Sequence, residues 1–239
     1  MRVVSLVPSL TEAIAVTVPG ALVGATDWCS HPADLDVRRV GGTKNPDVPR
    51  VVALAPDLVV ANEEENRAPD LAALRAAGVE VLVTEVRTLD QAFRELTRVL
   101  AACGAGRPRW LEEAEEAWAA LPCPSARLRA AVPIWRRPWM VLGSDTFAAD
   151  LLARLGVDNA YAGHAERYPR VPIEELRAAD LDVVVLPDEP YRFTRDDGPE
   201  AFPPGTPTAL VSGRHLTWYG PSLAEAPAVL SAALRAAVR

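Results

Sequence analysis

Two short polar stretches carry the side chains best suited to holding an organic ligand: Thr26-Asp-Trp28-Cys29-Ser-His31-Pro and His215-Leu-Thr-Trp218-Tyr219-Gly-Pro. A tryptophan in a polar loop has little apolar surface beside it to bury against, so Trp28, His31, Trp218 and Tyr219 are expected to face a ligand. Sealing the rim of a lobe is the competing role for the two tryptophans. Cys29 with His31, or His215 with Tyr168, Tyr191 or Tyr219, has donor types that suit iron or cobalt. Their spacing matches no compact metal motif, so no metal ligand is assigned. A metal already inside a chelate or macrocycle needs one protein ligand or none.

Further candidates follow strands. Lys44 and Asn45 stand in a Gly41-Gly42-Thr43 turn before a helix starting near Pro46 or Asp47, where backbone amides and a cation could meet an anionic group; a plain turn is the alternative. Asn62, Glu63, Glu64, Glu65 and Asn66 follow the apolar run Leu58 to Ala61, and Asp188, Glu189, Tyr191 and Arg192 follow Val183 to Leu186. A solvated charge run is the alternative for each acidic group, with equal weight for Glu63 to Glu65. Ser9 and Ser144 would be the nucleophiles of a hydrolase, but both are better explained as helix caps. G-x-S-x-G, H-E-x-x-H, P-loop and G-x-G-x-x-G signatures are missing, so no catalytic residue is assigned.

These side chains need strands ending on one edge, and the chain has the material. Its 239 residues are 49% hydrophobic, enough for one large or two modest cores. The net charge of −7, with arginines interleaved among acids and Lys44 as the sole lysine, argues against a nucleic-acid partner. Cys29, Cys103 and Cys123 show no CxxC spacing and suggest reduced thiols. The chain enters a strand directly after Met1 with no signal-peptide pattern, and no run is apolar for long enough to insert in a membrane. As written it is expected to be unexported, cytoplasmic if Met1 is the true start. The expectation is a monomer that holds a small molecule and has no intrinsic cofactor.

Both halves repeat an outline: apolar strand, Ser or Thr, helix, then a strand led by Asp. Val3 to Val7 precedes Ser9-Leu-Thr-Glu12, whose spacing predicts a capping box; Met140 to Leu142 precedes a helix capped by Ser144 or Asp145. Alternating strands and helices predict two α/β lobes with mainly parallel sheets, residues 1–104 and 128–239. Residues 105–127 connect them. Within these, Arg107 to Leu121 reads as one amphipathic helix of roughly 22 Å, with Trp110, Leu111, Ala114 and Trp118 on one face and Glu112, Glu113 and Glu116 on the other. A strand is predicted over Ala130 to Trp135. Chains of this kind hold small molecules where strand ends and helix starts face a common crevice.

In order and spacing, RVVSLVPSLTEA, LVGATDWCSHP, VGGTKNPD, VVALAPDLVVAN, PWMVLGSDTFAADLLARLGVDNAY, LRAADLDVVVLPDEPYRF and HLTWYGPS resemble the class III, helical-backbone substrate-binding proteins of ABC importers. That family includes vitamin B12-binding and iron-chelate-binding periplasmic proteins. The resemblance covers nearly the whole chain and implies two Rossmann-like lobes joined by a single interlobe helix, with a corrinoid, haem or ferric chelate in the cleft. It implies that aromatic side chains of the Trp28 and Trp218 loops pack against the ligand, and together with the residue readings above the expected contacts are Trp28, His31, Lys44, Asn45, Asn62, Tyr191, His215, Trp218 and Tyr219. His31 stands near a position where B12-binding members present an aromatic ring. It further implies that acids on each rim, Glu63, Glu64 and Glu189, dock on arginines of an ABC permease. A cytosolic carrier or sensor of the same ligands is the second reading and a hydrolase the third.

Overall fold

Runs such as Val3-Val4-Ser5, Leu58-Val-Val-Ala-Asn62 and Val183-Val-Val-Leu-Pro187 have no polar alternation, and every one of their residues is buried. Strands covered on both faces belong to parallel sheets. The computed structural model describes residues 1–238 and shows two such sheets, one in each of two units. The first unit holds Met1–Val86, Asp90–Glu113 and Tyr219–Pro221; the second holds Arg87–Leu89, Ala114–Trp218 and the residues from Ser222 onward.

In the first unit the order is β1 (Val3–Ser5), α1 (Pro8–Thr17), β2 (Leu22–Ala25), β3 (Arg38–Arg39), α2 (Val48–Ala53), β4 (Leu58–Asn62), α3 (Ala68–Ala76), β5 (Val81–Thr84) and α4 (Leu89–Ala102). All strand pairs are parallel, in the spatial order β3-β2-β1-β4-β5. The chain therefore reverses its direction of winding between β1 and β4. Val4, Leu6, Val51, Val59, Leu71 and Leu74 form the core beneath.

Helix α5 (Arg109–Ala119) follows, with Leu111, Ala114 and Trp118 buried and Glu112, Glu113 and Glu116 exposed. It is four residues shorter than the expected Arg107 to Leu121. The Trp110 indole N–H donates to Thr17 Oγ1 at 3.0 Å in the first unit, and that of Trp118 to the Leu223 carbonyl at 3.0 Å in the second.

The second unit contains β6 (Leu128–Ala131), β7 (Pro133–Trp135), β8 (Met140–Val141), α6 (Phe147–Arg154), β9 (Val157–Asn159), α7 (Ile173–Ala178), β10 (Val183–Pro187), β11 (Thr208–Val211), α8 (Gly213–Thr217) and α9 (Ala226–Ala237). Its parallel sheet runs β11-β10-β6-β9, so winding reverses between β6 and β10. Val184, Leu186, Phe193, Phe202 and Leu176 lie in its core.

Three local expectations are corrected. The Ser9–Glu12 capping box does not form: Val7 is the N-cap without a side-chain bond, and Pro8 supplies the first turn. Proline at that position lacks the N–H a cap would satisfy and has its φ preset, so the helix begins two residues early and buries Ser9 and Glu12. Neither Ser144 nor Asp145 caps α6; Thr146 holds the cap position, while Asp145 adopts φ 53° and accepts from Arg87 Nη1 at 2.5 Å. The single strand expected over Ala130 to Trp135 is two, because Pro133 cannot donate within a central ladder. Beyond it, β7 leaves the parallel sheet and pairs antiparallel with β8.

Candidate functional site

With every strand of the first sheet parallel, the loops after β1, β2, β3 and β4 emerge at one edge. Two buried asparagines build that edge. The Asn66 amide donates to the carbonyls of Leu6 (3.2 Å) and Thr43 (2.9 Å), and its oxygen accepts from the Asn62 backbone at 2.9 Å. Asn62 donates to the Thr84 carbonyl and hydroxyl, both at 3.1 Å, and accepts from the N–H groups of Glu64 and Glu65 at 2.9 and 3.2 Å. Asn62, expected to face a ligand, is thus turned inward with its amide committed to the backbone. Lys44 also reaches this loop, donating to the Glu64 carbonyl.

Trp28 is the open aromatic of this edge, 69% exposed on the loop after β2. Arg39 shapes the loop by donating to the carbonyls of Thr26 and Cys29, both at 2.9 Å. A Cβ added at Gly42 would lie 3.5 Å from Trp28 Nε1 and 2.5 Å from Asn45 Oδ1, so the turn with Gly41 at φ +86° lets Asn45 come close. Lys44 and Asn45 are exposed, as is Glu63; His31 and Glu64 are half-buried.

Cys29 is fully buried against the hydroxyls of Thr11 (3.0 Å) and Thr26 (3.2 Å), and burial pushes its thiol pKa up. That enclosure removes it from any donor set with His31, whose Nδ1 lies 3.1 Å from Ser30 Oγ.

Tyr219 groups with this first unit although Trp218 before it groups with the second. It is 7% exposed, and its hydroxyl lies toward Thr84 and Ser9. Burial, reinforced by the Glu65 charge, raises its pKa. Burial likewise raises that of Glu65, with Lys44 opposing.

In the second unit, β7 and the loops after β10 and β11 form the corresponding carboxyl edge. Tyr191 donates to Asp197 Oδ2 at 2.6 Å and stands edge-on to Trp135 with ring centres 5.7 Å apart. Arg136 forms ion pairs with Asp197 and Glu200, and its guanidinium lies 5.2 Å over the Trp139 ring. Trp135, Arg136 and Trp139 were not singled out in sequence, although the aromatic-basic run WRRPW was a signal available there.

Trp218 is buried, and its side chain bonds Glu189, whose pKa burial raises with Asp188 adding to the effect. Gly213 allows this close fit: a Cβ there would meet the Glu189 backbone N and O at 2.8 and 2.9 Å. Both ring nitrogens of His215 are engaged, Nδ1 with Ser212 Oγ at 2.8 Å and Nε2 with Glu225 Oε1 at 2.9 Å. Of the four ring-bearing residues placed first at a ligand, Trp28 is open, His31 half-buried, and Trp218 and Tyr219 buried. Among the described residues no three His, Cys, Asp or Glu side chains converge as a metal-ligand group. No helix among them is long and apolar enough to cross a membrane.

Two α/β units, each with a parallel sheet whose connecting loops emerge at its carboxyl edge, define the class of fold. Residues 3–202 match the model of the periplasmic binding protein family, and the chain belongs to that family. A vitamin B12-binding protein of Vibrio parahaemolyticus is 24% identical over 190 residues, covering 77% of this chain and 69% of that protein. Among solved structures, a periplasmic haem-binding protein of Roseiflexus sp. RS-1 superimposes with a TM-score of 0.82 at 23% identity, over 100% of this chain and 99% of that one. A periplasmic haem-binding protein of Pseudomonas aeruginosa gives 0.79 at 25% identity, over 100% and 94%.

Proposed function

We propose that this protein binds a tetrapyrrole or related metal chelate, corrinoid- or haem-like, and presents it to an ABC-type importer. The observation that carries the reading is an indole left 69% exposed at the carboxyl edge of a parallel sheet, on a loop fixed by Arg39. Indole rings normally lose most of their surface on folding, and a broad flat ligand supplies the missing cover. Curated relatives that bind vitamin B12 and a like-folded protein that binds haem support the ligand class. Direct contact in the first unit falls to Trp28, His31, Lys44 and Asn45. Asn62, His215, Trp218 and Tyr219 shape the loops from behind.

The protein binds its ligand without turning it over. Ser9, the first candidate nucleophile, is 3% exposed inside α1. Exposed Glu63 and half-buried Glu64 and Glu189 are the acids offered to permease arginines. Native mass spectrometry and visible absorbance, with cyanocobalamin, haem and a ferric siderophore added in turn, test the proposal. A saturable one-to-one complex with at least one of them is expected, and binding of none would refute it.

A further inference from the structure

Winding of the second sheet reverses between β6 and β10, and ligands of open α/β sheets sit outside the carboxyl ends at such a reversal. Two things emerge there. After β6 comes the β7–β8 hairpin with Trp135, Arg136 and Arg137; after β10 comes the loop with Tyr191 and Asp197. Trp135 is 43% exposed and its ring meets Tyr191 at 78°, giving a two-walled aromatic corner. Arg136 is the fastener of that corner, 14% exposed, with its charge met by Asp197 and Glu200.

Arg137 is different. It is exposed, it takes φ 69° where a non-glycine residue is strained, and among the described residues it has no ion pair. It stands two residues after Trp135, in the turn that joins β7 to β8. Strain of this kind persists when the surrounding structure holds it, and it marks sites where a side chain must be aimed. Arg192 is also exposed, directly after Tyr191. From these observations we infer that Trp135, Tyr191 and Arg137 form a specificity element of the second unit, which selects a planar ligand bearing a free carboxylate. Trp135 and Tyr191 contact the ring system, Arg137 pairs with the carboxylate through its forked N–H groups, and Arg136 positions Tyr191 through Asp197.

The inference rests on the ligand class proposed above and narrows it, since haem carries two carboxylates whereas cyanocobalamin carries amides. Affinities of the whole protein for haem, haem dimethyl ester and cyanocobalamin are compared. Wild type should bind haem about tenfold more tightly than the diester, the scale of one charge-assisted contact, and added salt should weaken the haem complex only. Arg137→Asn removes the charge while keeping a residue that tolerates positive φ, and should erase the preference; Arg137→Lys should restore part of it. Thermal melts of each variant should match wild type. Equal affinity for haem and diester, an unchanged preference in Arg137→Asn, or binding of cyanocobalamin alone overturns the inference and leaves the proposed function standing. Binding of none of the three overturns the inference, and overturns the proposed function as well when a ferric siderophore also fails to bind.

Discussion

The carboxyl edge of the first sheet is tied by neutral amides, and that of the second by charge and rings. Asn62 and Asn66 are 3% exposed and bond the backbone of several neighbouring loops. Asp197 and Glu200, which fasten the second edge through Arg136, are 41% and 48% exposed. Buried neutral hydrogen bonds cost much to leave unmade but are indifferent to ionic strength. Exposed ion pairs contribute little each and are screened. The first edge is therefore built as a fixed platform under one open indole, and the second as a loop whose order depends on its solvent.

Breaking the platform should have the largest effect. Asn62→Ala leaves the Glu64 and Glu65 N–H groups without their partner and takes from the Thr84 carbonyl one of its two donors, the Glu63 N–H remaining, and should lower stability by about 2–4 kcal/mol in urea unfolding. A loss below half of that would show the amides to be replaceable. Next comes Gly213→Ala in the second unit, where the new Cβ must displace Glu189 backbone at 2.8 Å; a loss of about 1–3 kcal/mol is expected from overpacking. Retained stability with an unchanged melt would mean that the loop after β10 yields, which would deepen the contrast between the edges.

Two smaller tests use solvent. A glutamate whose pKa is raised on folding gives stability that is complete below its ordinary value of 4.5 and is lost as pH rises through the folded value. Glu65→Gln should therefore match wild type in acid and exceed it in stability near neutral pH, as read from melts across that range. Equal pH profiles for the two proteins would contradict the burial argument. Arg136→Gln should weaken ligand binding mainly by speeding dissociation, and the gap from wild type should narrow as salt is raised. A gap that salt does not change would assign Arg136 a packing role against Trp139 alone.

Much of this was legible in the sequence because apolar runs and their alternation with helices are local signals. The strands Leu58 to Ala61 and Val183 to Leu186 fell within a residue of their places. Two-residue β3 was missed, since Arg38-Arg39 has no apolar pattern and pairs only because β2 lies beside it. The caps expected at Ser9 and at Ser144 or Asp145 did not form, the first because Pro8 opens its helix earlier. At the site, residue type is legible in sequence and the direction of a side chain is not. Asn62 and His215 have the right chemistry for a ligand and use it on the protein itself, a distinction set by tertiary partners such as Thr84 and Glu225. Arg136 was passed over because its partners lie 61 and 64 residues away in sequence.

The central claim is that the open indole of Trp28 is a ligand-contacting surface. Calorimetric titration of wild type, Trp28→Phe and Trp28→Ala with haem and with cyanocobalamin tests it most directly. An aromatic contact of about 1 kcal/mol predicts that Trp28→Ala binds the preferred ligand about fivefold more weakly, with Trp28→Phe between the two and all three equally stable. Identical affinities for wild type and Trp28→Ala, with the ligand bound by both, would contradict it.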